Sequence, residues 1–141
     1  MPELPEVETS VKGLNILIGL KVYKVKIYTK KLRYIIPKSI IKIQKDSKII
    51  NIQRIAKYIL IHFSSNFSIV VHLGMSGRLK IQSEFTKRNK HDHFIIYFKN
   101  SKILVLNDPR KFGFIDFDHT KKIYSRNNQR FDKLISYYLV K

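Results

Sequence analysis

The sequence predicts a mainly β protein: an antiparallel β-sandwich of about eight short strands with an amphipathic helix at its N-terminal end. One observation is a change of hydrophobic period at Gly19, from helical spacing before it to alternation after it. Another is a series of short β-rich runs separated by Ser, Asn, Gly and Pro residues, which is typical of sandwiches and barrels. The hydrophobic content of 44% in 141 residues is enough for one packed domain.

The predicted helix spans residues 5–18. Four apolar residues recur at spacings of four, three and four, which places them along one stripe of a helix. These residues are Val7, Val11, Leu14 and Ile18. Pro5 suits the first helical turn, Glu6 and Glu8 suit the positive end of the helix dipole, and Gly19 suits the end of the helix.

The strands begin immediately after the helix. Tyr23, Val25 and Ile27 alternate with two lysines, which is the pattern of a half-buried strand. The other strands are predicted at residues 48–55, 57–63, 67–73, 78–82, 93–98, 102–107 and 112–117. The polar segment 83–92 is predicted to be a solvated loop.

The charge of the chain indicates a polyanionic partner. Lys and Arg total 28 against 10 acidic residues, for a formal charge of +18. Nucleic acid is the simplest such partner, and its binding should weaken steeply as salt rises. An AT-rich genome would also enrich lysine over arginine, but codon bias alone would not deplete the acids so strongly.

Several classes of protein are excluded by composition. The chain has no cysteine, so disulfides and thiolate zinc sites are ruled out. The acidic N-terminus does not have the layout of a signal peptide, and no apolar run approaches the ~18 residues of a membrane span. We therefore expect an intracellular protein with no membrane partner, in the cytoplasm or nucleoid of a bacterium-like cell.

The N-terminus, MPELPEVET, could carry covalent chemistry. Removal of Met1 would leave the secondary amine of Pro2 beside the carboxylate of Glu3. Such an amine, on attacking a sugar C1′, gives an iminium that stays cationic and withdraws electrons. Glu3 could protonate the opening sugar oxygen, and Glu6 could hold the amine. Alternatively, Pro2 only permits removal of Met1, and both glutamates are ordinary helix N-terminal charges.

Two loops carry residue types suited to an opened DNA stack. Met75 lies between two glycines at a predicted hairpin tip, where an apolar side chain is unusual. Base-flipping enzymes need an apolar group to fill the space of an extruded nucleotide. In the loop NDPRKFG, Arg110 could bind the unpaired base and Phe112 could wedge beside it. The alternative for Phe112 is a ring that returns to the core, which suits Phe114 better.

The remaining candidates are a lysine and three histidines. Lys57 lies in the string RIAKY between two predicted strands, where a solvated lysine would be the ordinary interpretation. His91 and His93 should share one strand face, and with His72 they could form a three-histidine zinc site. Neither a thiolate nor a fixed histidine spacing supports that site, so the sequence predicts no metal.

Five strings, MPELPEVET, RIAKY, HLGMSGR, KHDH and NDPRKFG, resemble the formamidopyrimidine-DNA glycosylases, from Met1 to about Asp118. The endonuclease VIII type, with glycine where this chain has Leu4, fits less well. The resemblance implies a DNA repair enzyme that acts on double-stranded DNA. It would excise oxidised purines (8-oxoguanine and formamidopyrimidines) and cleave abasic sites through a Schiff base on the N-terminal proline.

The resemblance also implies roles for individual residues. Pro2 would be the nucleophile and Glu3 the acid/base, supported by Glu6, with Lys57 contacting the phosphate or damaged base. Three side chains would fill the space left by the extruded nucleotide: Met75, Arg110 and Phe112. Two histidines would contact the DNA backbone: His72 and His91.

The resemblance ends before the end of the chain. We expect a catalytic β-sandwich domain over residues 1–118 and a basic tail over residues 119–141, which does not resemble the family. The family's helix–two-turn–helix domain and four-cysteine zinc finger are expected to be absent, and the chain to be a monomer without a cofactor. Two alternatives stay open: an inactive relic of a longer enzyme, and a non-catalytic basic module that binds nucleic acid by charge.

Overall fold

Eight antiparallel strands form two sheets in the computed structural model, which describes residues 11–43, 45–55 and 58–123. The strands are β1 (Val22–Ile27), β2 (Ile49–Ile55), β3 (Tyr58–Phe63), β4 (Phe67–His72), β5 (Arg78–Ser83), β6 (Asp92–Phe98), β7 (Lys102–Asn107) and β8 (Phe114–His119). One sheet has the order β1-β6-β7-β5 and the other the order β2-β3-β4-β8. The predicted mainly β fold is confirmed.

The core lies between the two sheets and follows from alternation along the strands. On β3, Ile59 and Ile61 belong to the main core cluster, and on β6 the same is true of Phe94 and Ile96. Successive side chains of a strand point to opposite faces, so every second residue of these strands faces the opposing sheet. The intervening residues of β3 are also buried, and so are those of β6 apart from Tyr97, which is only partly buried.

The described part of the predicted helix ends as a tighter turn. Residues 11–14 are α-helical and a 3-10 turn follows at Asn15–Leu17. Gly19 then adopts a φ of +90°, which agrees with its prediction as the stop. The prediction that Ile18 lies on the apolar stripe of the helix was wrong, because Ile18 is exposed. Three residues per turn align Leu14 with Leu17, and these two leucines enter the core instead. Residues 5–10 lie outside the described part.

The alternation predicted for β1 fails at Tyr23, the first residue of the predicted pattern. Val25 and Ile27 pack against the core as expected, but Tyr23 faces solvent and Val22 is fully buried in its place. The pairing of β1 with β6 shifts between Val22 and Lys24. This β-bulge adds one residue to β1 and changes the face on which Tyr23 lies.

Two other boundaries differ from the predictions. Segment 83–92 is not solvated throughout, because its last residue, Asp92, begins β6 and is buried. Strand β8 begins at Phe114 rather than at residue 112, and it runs into a helical turn, Thr120–Ile123. Residues 124–141, most of the predicted tail, are outside the described part. None of the helices in the described residues is long and apolar enough to span a bilayer.

Candidate nucleic-acid interface

Glycines bring the two predicted DNA-contacting loops together. Gly74, in the hairpin tip, has a φ of +62°, and a Cβ built on it would lie 2.7 Å from the backbone of both Phe112 and Gly113. A Cβ on Gly113 would in turn collide with the carbonyl oxygen of His72. The backbones of residues 72–74 and 112–113 therefore touch, and side chains larger than hydrogen would separate them.

A buried carboxylate fixes the shape of both loops. Asp108 is 0% exposed and its side chain accepts three hydrogen bonds. Oδ1 accepts from the Ser76 hydroxyl (2.5 Å) and the Lys111 backbone N–H (3.1 Å), and Oδ2 accepts from the Gly113 N–H (2.9 Å). The Ser76 oxygen also accepts from the backbone N–H of Arg110 at 3.1 Å. One carboxylate thus connects the loop that carries Met75 to the loop that carries Arg110 and Phe112.

These contacts present two apolar side chains at one cleft. Met75 is 57% exposed and Phe112 is 47% exposed, as the sequence predicted for both. They line a cleft of about 300 Å³ together with His72, Gly74 and Arg33. Exposed apolar side chains on loops fixed by hydrogen bonds are suited to enter a stack of bases, because they lose little conformational freedom on doing so.

The predicted histidines occupy different environments. His72 is buried at the cleft and stacks on Phe114 with ring centroids 5.4 Å apart. Its Nδ1 accepts a hydrogen bond from the Gly74 N–H at 3.1 Å, so the neutral ring carries its proton on Nε2. His91 is half-buried beside β6, with its ring centroid 6.4 Å from that of His93.

His93 supports the loops. Its Nε2 donates to the Asp108 carbonyl oxygen at 2.8 Å, and its Nδ1 accepts from the Thr29 hydroxyl at 2.5 Å. Both ring nitrogens are therefore bonded to protein groups. Across residues 11–43, 45–55 and 58–123, no three His, Cys, Asp or Glu side chains are grouped so that they could hold a metal ion.

Asp92 stabilises the entry to β6 beside the interface. Its carboxylate accepts from the Asn107 side chain (2.8 Å) and the Asn89 backbone N–H (2.9 Å), and Lys80 Nζ lies 3.4 Å away. Burial alone would raise the pKa of Asp92, but these hydrogen bonds and the Lys80 charge outweigh it, so the pKa lies below its ordinary value. The carboxylate therefore stays ionised at neutral pH and holds the segment before His91.

The sequence did not predict the structural roles of Asp108 and His93, and it gave no role to Arg33. Asp108 and His93 connect the loops, and Arg33 lines the cleft while its backbone N–H donates to the Gly113 carbonyl at 3.1 Å. The signal for Asp108 was present, since an aspartate that opens a Pro- and Gly-containing loop often accepts hydrogen bonds from nearby backbone N–H groups. Nothing local marks Arg33.

The structure leaves the other predicted residues untested. Arg110 is exposed on the Asp108 loop, where its backbone N–H donates to the Ser76 hydroxyl oxygen. Pro2, Glu3, Glu6 and Lys57 lie outside the described residues, so their proposed chemistry stays a prediction from sequence.

Relatives of known sequence match most of the chain. The formamidopyrimidine-DNA glycosylase of Rickettsia bellii (strain OSU 85-389) is 43% identical over 122 residues, which cover 86% of this chain and 45% of the relative. That of Zymomonas mobilis is 46% identical over 117 residues, 82% of this chain and 43% of the relative. The chain thus spans less than half the length of the curated relatives it matches.

Solved structures give the same result. Wild-type Lactococcus lactis Fpg (MutM), in complex with DNA containing N7-benzyl-Fapy-dG, superposes with a TM-score of 0.78 at 29% identity, covering 86% of this chain and 45% of the solved one. MutM in complex with DNA containing carbocyclic 8-oxo-G gives a TM-score of 0.77, with the same identity and coverage.

The family model described as "Formamidopyrimidine-DNA glycosylase N-terminal domain" matches residues 1–115 of the chain. That range includes every predicted site residue, and it contains all but the end of the second sheet. The chain therefore belongs to the formamidopyrimidine-DNA glycosylase family and carries its N-terminal domain.

Proposed function

We propose that this protein excises oxidised purines from double-stranded DNA and cleaves the resulting abasic site. The observation that carries the proposal is the pair of loops joined by Asp108, which present Met75 and Phe112 at one cleft. The relatives support the lesion class, because one solved relative is bound to DNA containing N7-benzyl-Fapy-dG and another to DNA containing carbocyclic 8-oxo-G.

In this proposal the loops stabilise DNA from which one nucleotide has been extruded. Extrusion costs a few kcal/mol of stacking and pairing, and apolar side chains recover part of it by filling the vacated space. Met75 and Phe112 supply that apolar surface, and the Arg110 guanidinium hydrogen-bonds the unpaired partner base. His72 and His91 contact the sugar-phosphate backbone beside the lesion.

The chemistry is assigned to the N-terminus after removal of Met1. The Pro2 nitrogen bonds to C1′ as the bond from C1′ to the base breaks, and the leaving base takes up the proton that the nitrogen gives up. Glu3 protonates the sugar ring oxygen as the ring opens, and the nitrogen lone pair forms the iminium. The iminium acidifies C2′, the Glu3 carboxylate, now ionised, accepts the C2′ proton, and the electron pair released from the C2′–H bond expels the 3′ phosphate. Glu6 and Lys57 hold the amine and the lesion in place.

Borohydride trapping on abasic-site DNA tests the nucleophile. An N-terminal amine with a pKa near ~8 is partly neutral at physiological pH, so demethionylated protein should give a covalent adduct. An abasic aldehyde needs no base extrusion, so this adduct should form more readily than product from an intact oxidised purine. The adduct should be lost when Met1 is retained or when the N-terminal amine is acylated. An adduct that persists after acylation would assign the reaction to a lysine and favour the charge-only module.

Loop variants test the DNA-opening role separately. M75A and F112A should each weaken binding to duplex DNA containing an abasic site by about tenfold, in line with the 1–3 kcal/mol of a lost stacking or wedge contact. F85A is the matched control, because Phe85 is 84% exposed on a different loop. A protein that folds, binds as predicted and yields no trapped adduct would be an inactive relic.

A further inference from the structure

The outer face of the β1–β6 pair carries a row of aromatic and basic side chains that the proposed glycosylase chemistry does not use. Five of these residues lie on or directly after the two strands, and one comes from the loop before β6. This tyrosine–lysine stripe consists of Tyr23, Lys24, Lys26, Tyr28, Arg88 and Tyr97.

Neighbouring members of the stripe contact one another along the surface. Lys24 Nζ lies 4.6 Å from the ring centroid of Tyr97 and 5.5 Å from that of Tyr23, and Lys26 Nζ lies 5.8 Å from Tyr97. The hydroxyl groups of Tyr28 and Tyr97 are 3.3 Å apart. The Arg88 guanidinium continues the row, 4.2 Å above the ring of Tyr28.

One member of the stripe, Tyr97, packs against a buried apolar cluster. Ile95, Ile103 and Val105 form a small buried cluster separate from the main core, and Tyr97 packs against it. Burial, and then the hydrogen bond to Tyr28, raise the pKa of Tyr97 to about 12, so its hydroxyl stays protonated at physiological pH. The central ring of the stripe is therefore held in place by packing on one side and by a hydrogen bond at its edge.

A cleft lies at the Tyr23 end of the stripe. It has a volume of about 480 Å³ and is lined by Tyr23, Lys45, Glu84, Phe98 and Lys99. Lys45 Nζ lies 5.7 Å from the Tyr23 ring centroid, so the pairing of cation with aromatic ring extends into the cleft. A cleft with an aromatic wall, two ammonium groups and one carboxylate offers a stacking surface together with hydrogen-bonding groups for a base.

Protection of the sheet edge accounts for only part of this arrangement. Strand β1 is an edge strand, and lysines on edge strands discourage pairing with other chains. That role does not require half-exposed tyrosines beneath the lysines. An exposed cation over a ring contributes only about 0.5–1 kcal/mol, so a phosphate can draw the cation away and leave the ring to a base.

We propose that the tyrosine–lysine stripe binds single-stranded DNA. The phosphates pair with Lys24, Lys26 and Arg88, while unpaired bases stack on Tyr23 and Tyr97. Single-stranded DNA is favoured over duplex because stacking on a protein ring needs a free base face, which a duplex does not offer. This surface is distinct from the Met75 cleft, and it goes beyond the proposed excision reaction because it needs no damaged base.

Fluorescence anisotropy with labelled dT20 and a labelled 20-base-pair duplex tests the stripe. K24Q/K26Q should weaken dT20 binding by about tenfold and reduce the slope of log K against log salt by about 1.4. The matched control K12Q/K121Q removes the same charge from exposed positions off these strands, and it should weaken binding by less than about threefold. Y23L should weaken dT20 binding about fivefold or more, while Y23F, which keeps the ring, should not.

Two outcomes would overturn the proposal. Equal losses in K24Q/K26Q and K12Q/K121Q would show that net charge alone binds dT20. Equal losses for dT20 and duplex in K24Q/K26Q, with no effect of Y23L, would show a backbone contact for duplex DNA instead. Circular dichroism of each variant confirms folding. Protein that retains Met1 has no free proline amine and should bind dT20 as well as demethionylated protein, so this test is separate from the test of the glycosylase chemistry.

Discussion

Position 108 requires a carboxylate, because all three described groups that bond to its side chain are donors and the side chain must accept each time. The Ser76 hydroxyl and the N–H groups of Lys111 and Gly113 converge on Asp108 from two loops. A buried anion that accepts several such bonds holds its neighbours more firmly than a neutral group would. The geometry of the candidate interface therefore depends on a residue that has no solvent exposure of its own.

D108N should lower the free energy of unfolding by about 2–4 kcal/mol. The amide NH₂ would face N–H or O–H donors to which it cannot bond, and the hydrogen bonds to the charged carboxylate would be lost. Urea denaturation followed by circular dichroism measures the change. D118N is the matched control. Asp118 is half-buried and accepts from the adjacent His119 N–H, so its loss should cost less than about 1 kcal/mol. Similar losses for the two variants would contradict the role given to Asp108.

A second residue should make stability depend on pH. His62 is buried, with Nδ1 2.6 Å from the Ser68 hydroxyl and Nε2 2.5 Å from Gln53 Oε1. Burial lowers the pKa of His62 below its ordinary value. The unfolded chain then binds a proton at a higher pH than the folded chain does. The contribution of neutral His62 to the free energy of unfolding is therefore complete above about pH 6.5, and it is lost as pH falls through the pKa of His62 in the folded protein.

We expect the stability difference between wild type and H62Q to shrink as pH is lowered from 8 to 5.5. Taking the difference removes the contributions of the other histidines, which titrate in both proteins. Urea midpoints at several pH values in that range supply the measurement. A difference that stays constant across the range would mean that His62 takes up its proton equally in the folded and unfolded chains.

At the scale of elements, the two predicted DNA-contacting loops are defined by how closely their backbones approach. Gly74 combines a positive φ with contact against residues 112 and 113, whereas Gly13 lies in the helical segment 11–14 with no atom near the position of a Cβ. The same substitution should therefore have opposite effects at these two glycines.

G74A should destabilise the protein by about 1–3 kcal/mol, because the added Cβ meets backbone atoms and the left-handed conformation disfavours alanine. It should also weaken binding to abasic-site duplex by separating the loops. G13A should stabilise the protein by about 0.5–1 kcal/mol, since alanine costs less backbone entropy in a helix. Thermal denaturation compares the two variants, and an unchanged melting temperature in G74A would show that the loops can separate at no cost.

For the whole molecule, we expect charge to dominate any association with nucleic acid. The formal charge is +18, and the chain spans less than half the length of its curated relatives. A chain of this charge should attract any polyanion, so we expect specificity to come from the proposed stacking and wedge groups rather than from charge.

We expect affinity for undamaged duplex DNA to fall by about 10³ between 50 and 200 mM salt if roughly six cations contact phosphates. Affinity for abasic-site duplex should fall along a parallel line, offset by the salt-independent contacts of the Met75 and Phe112 loops. Anisotropy titrations at four salt concentrations give both slopes. Affinity that does not change with salt would show that the basic surface does not drive binding.

Sequence patterns were sufficient to predict the mainly β class, the approximate positions of the strands and the exposure of Met75 and Phe112. Period-two alternation indicates which side chains of a strand share a face, and glycines around an apolar residue such as Met75 indicate an exposed turn. These signals are local, so they are readable without knowing what lies across the sheet. The strings that resemble the glycosylases identified the family, which the comparisons confirmed.

Features that depend on a partner strand or loop could not be predicted from the sequence and became visible in the folded chain. The bulge that exposes Tyr23 arises from the register of β1 against β6, and the exposure of Ile18 arises from a 3-10 turn that brings Leu17 into the core. Asp108 acquires its role from Ser76, 32 residues away. Such contacts join residues distant in the chain, and local sequence patterns carry no information about which distant residues will meet.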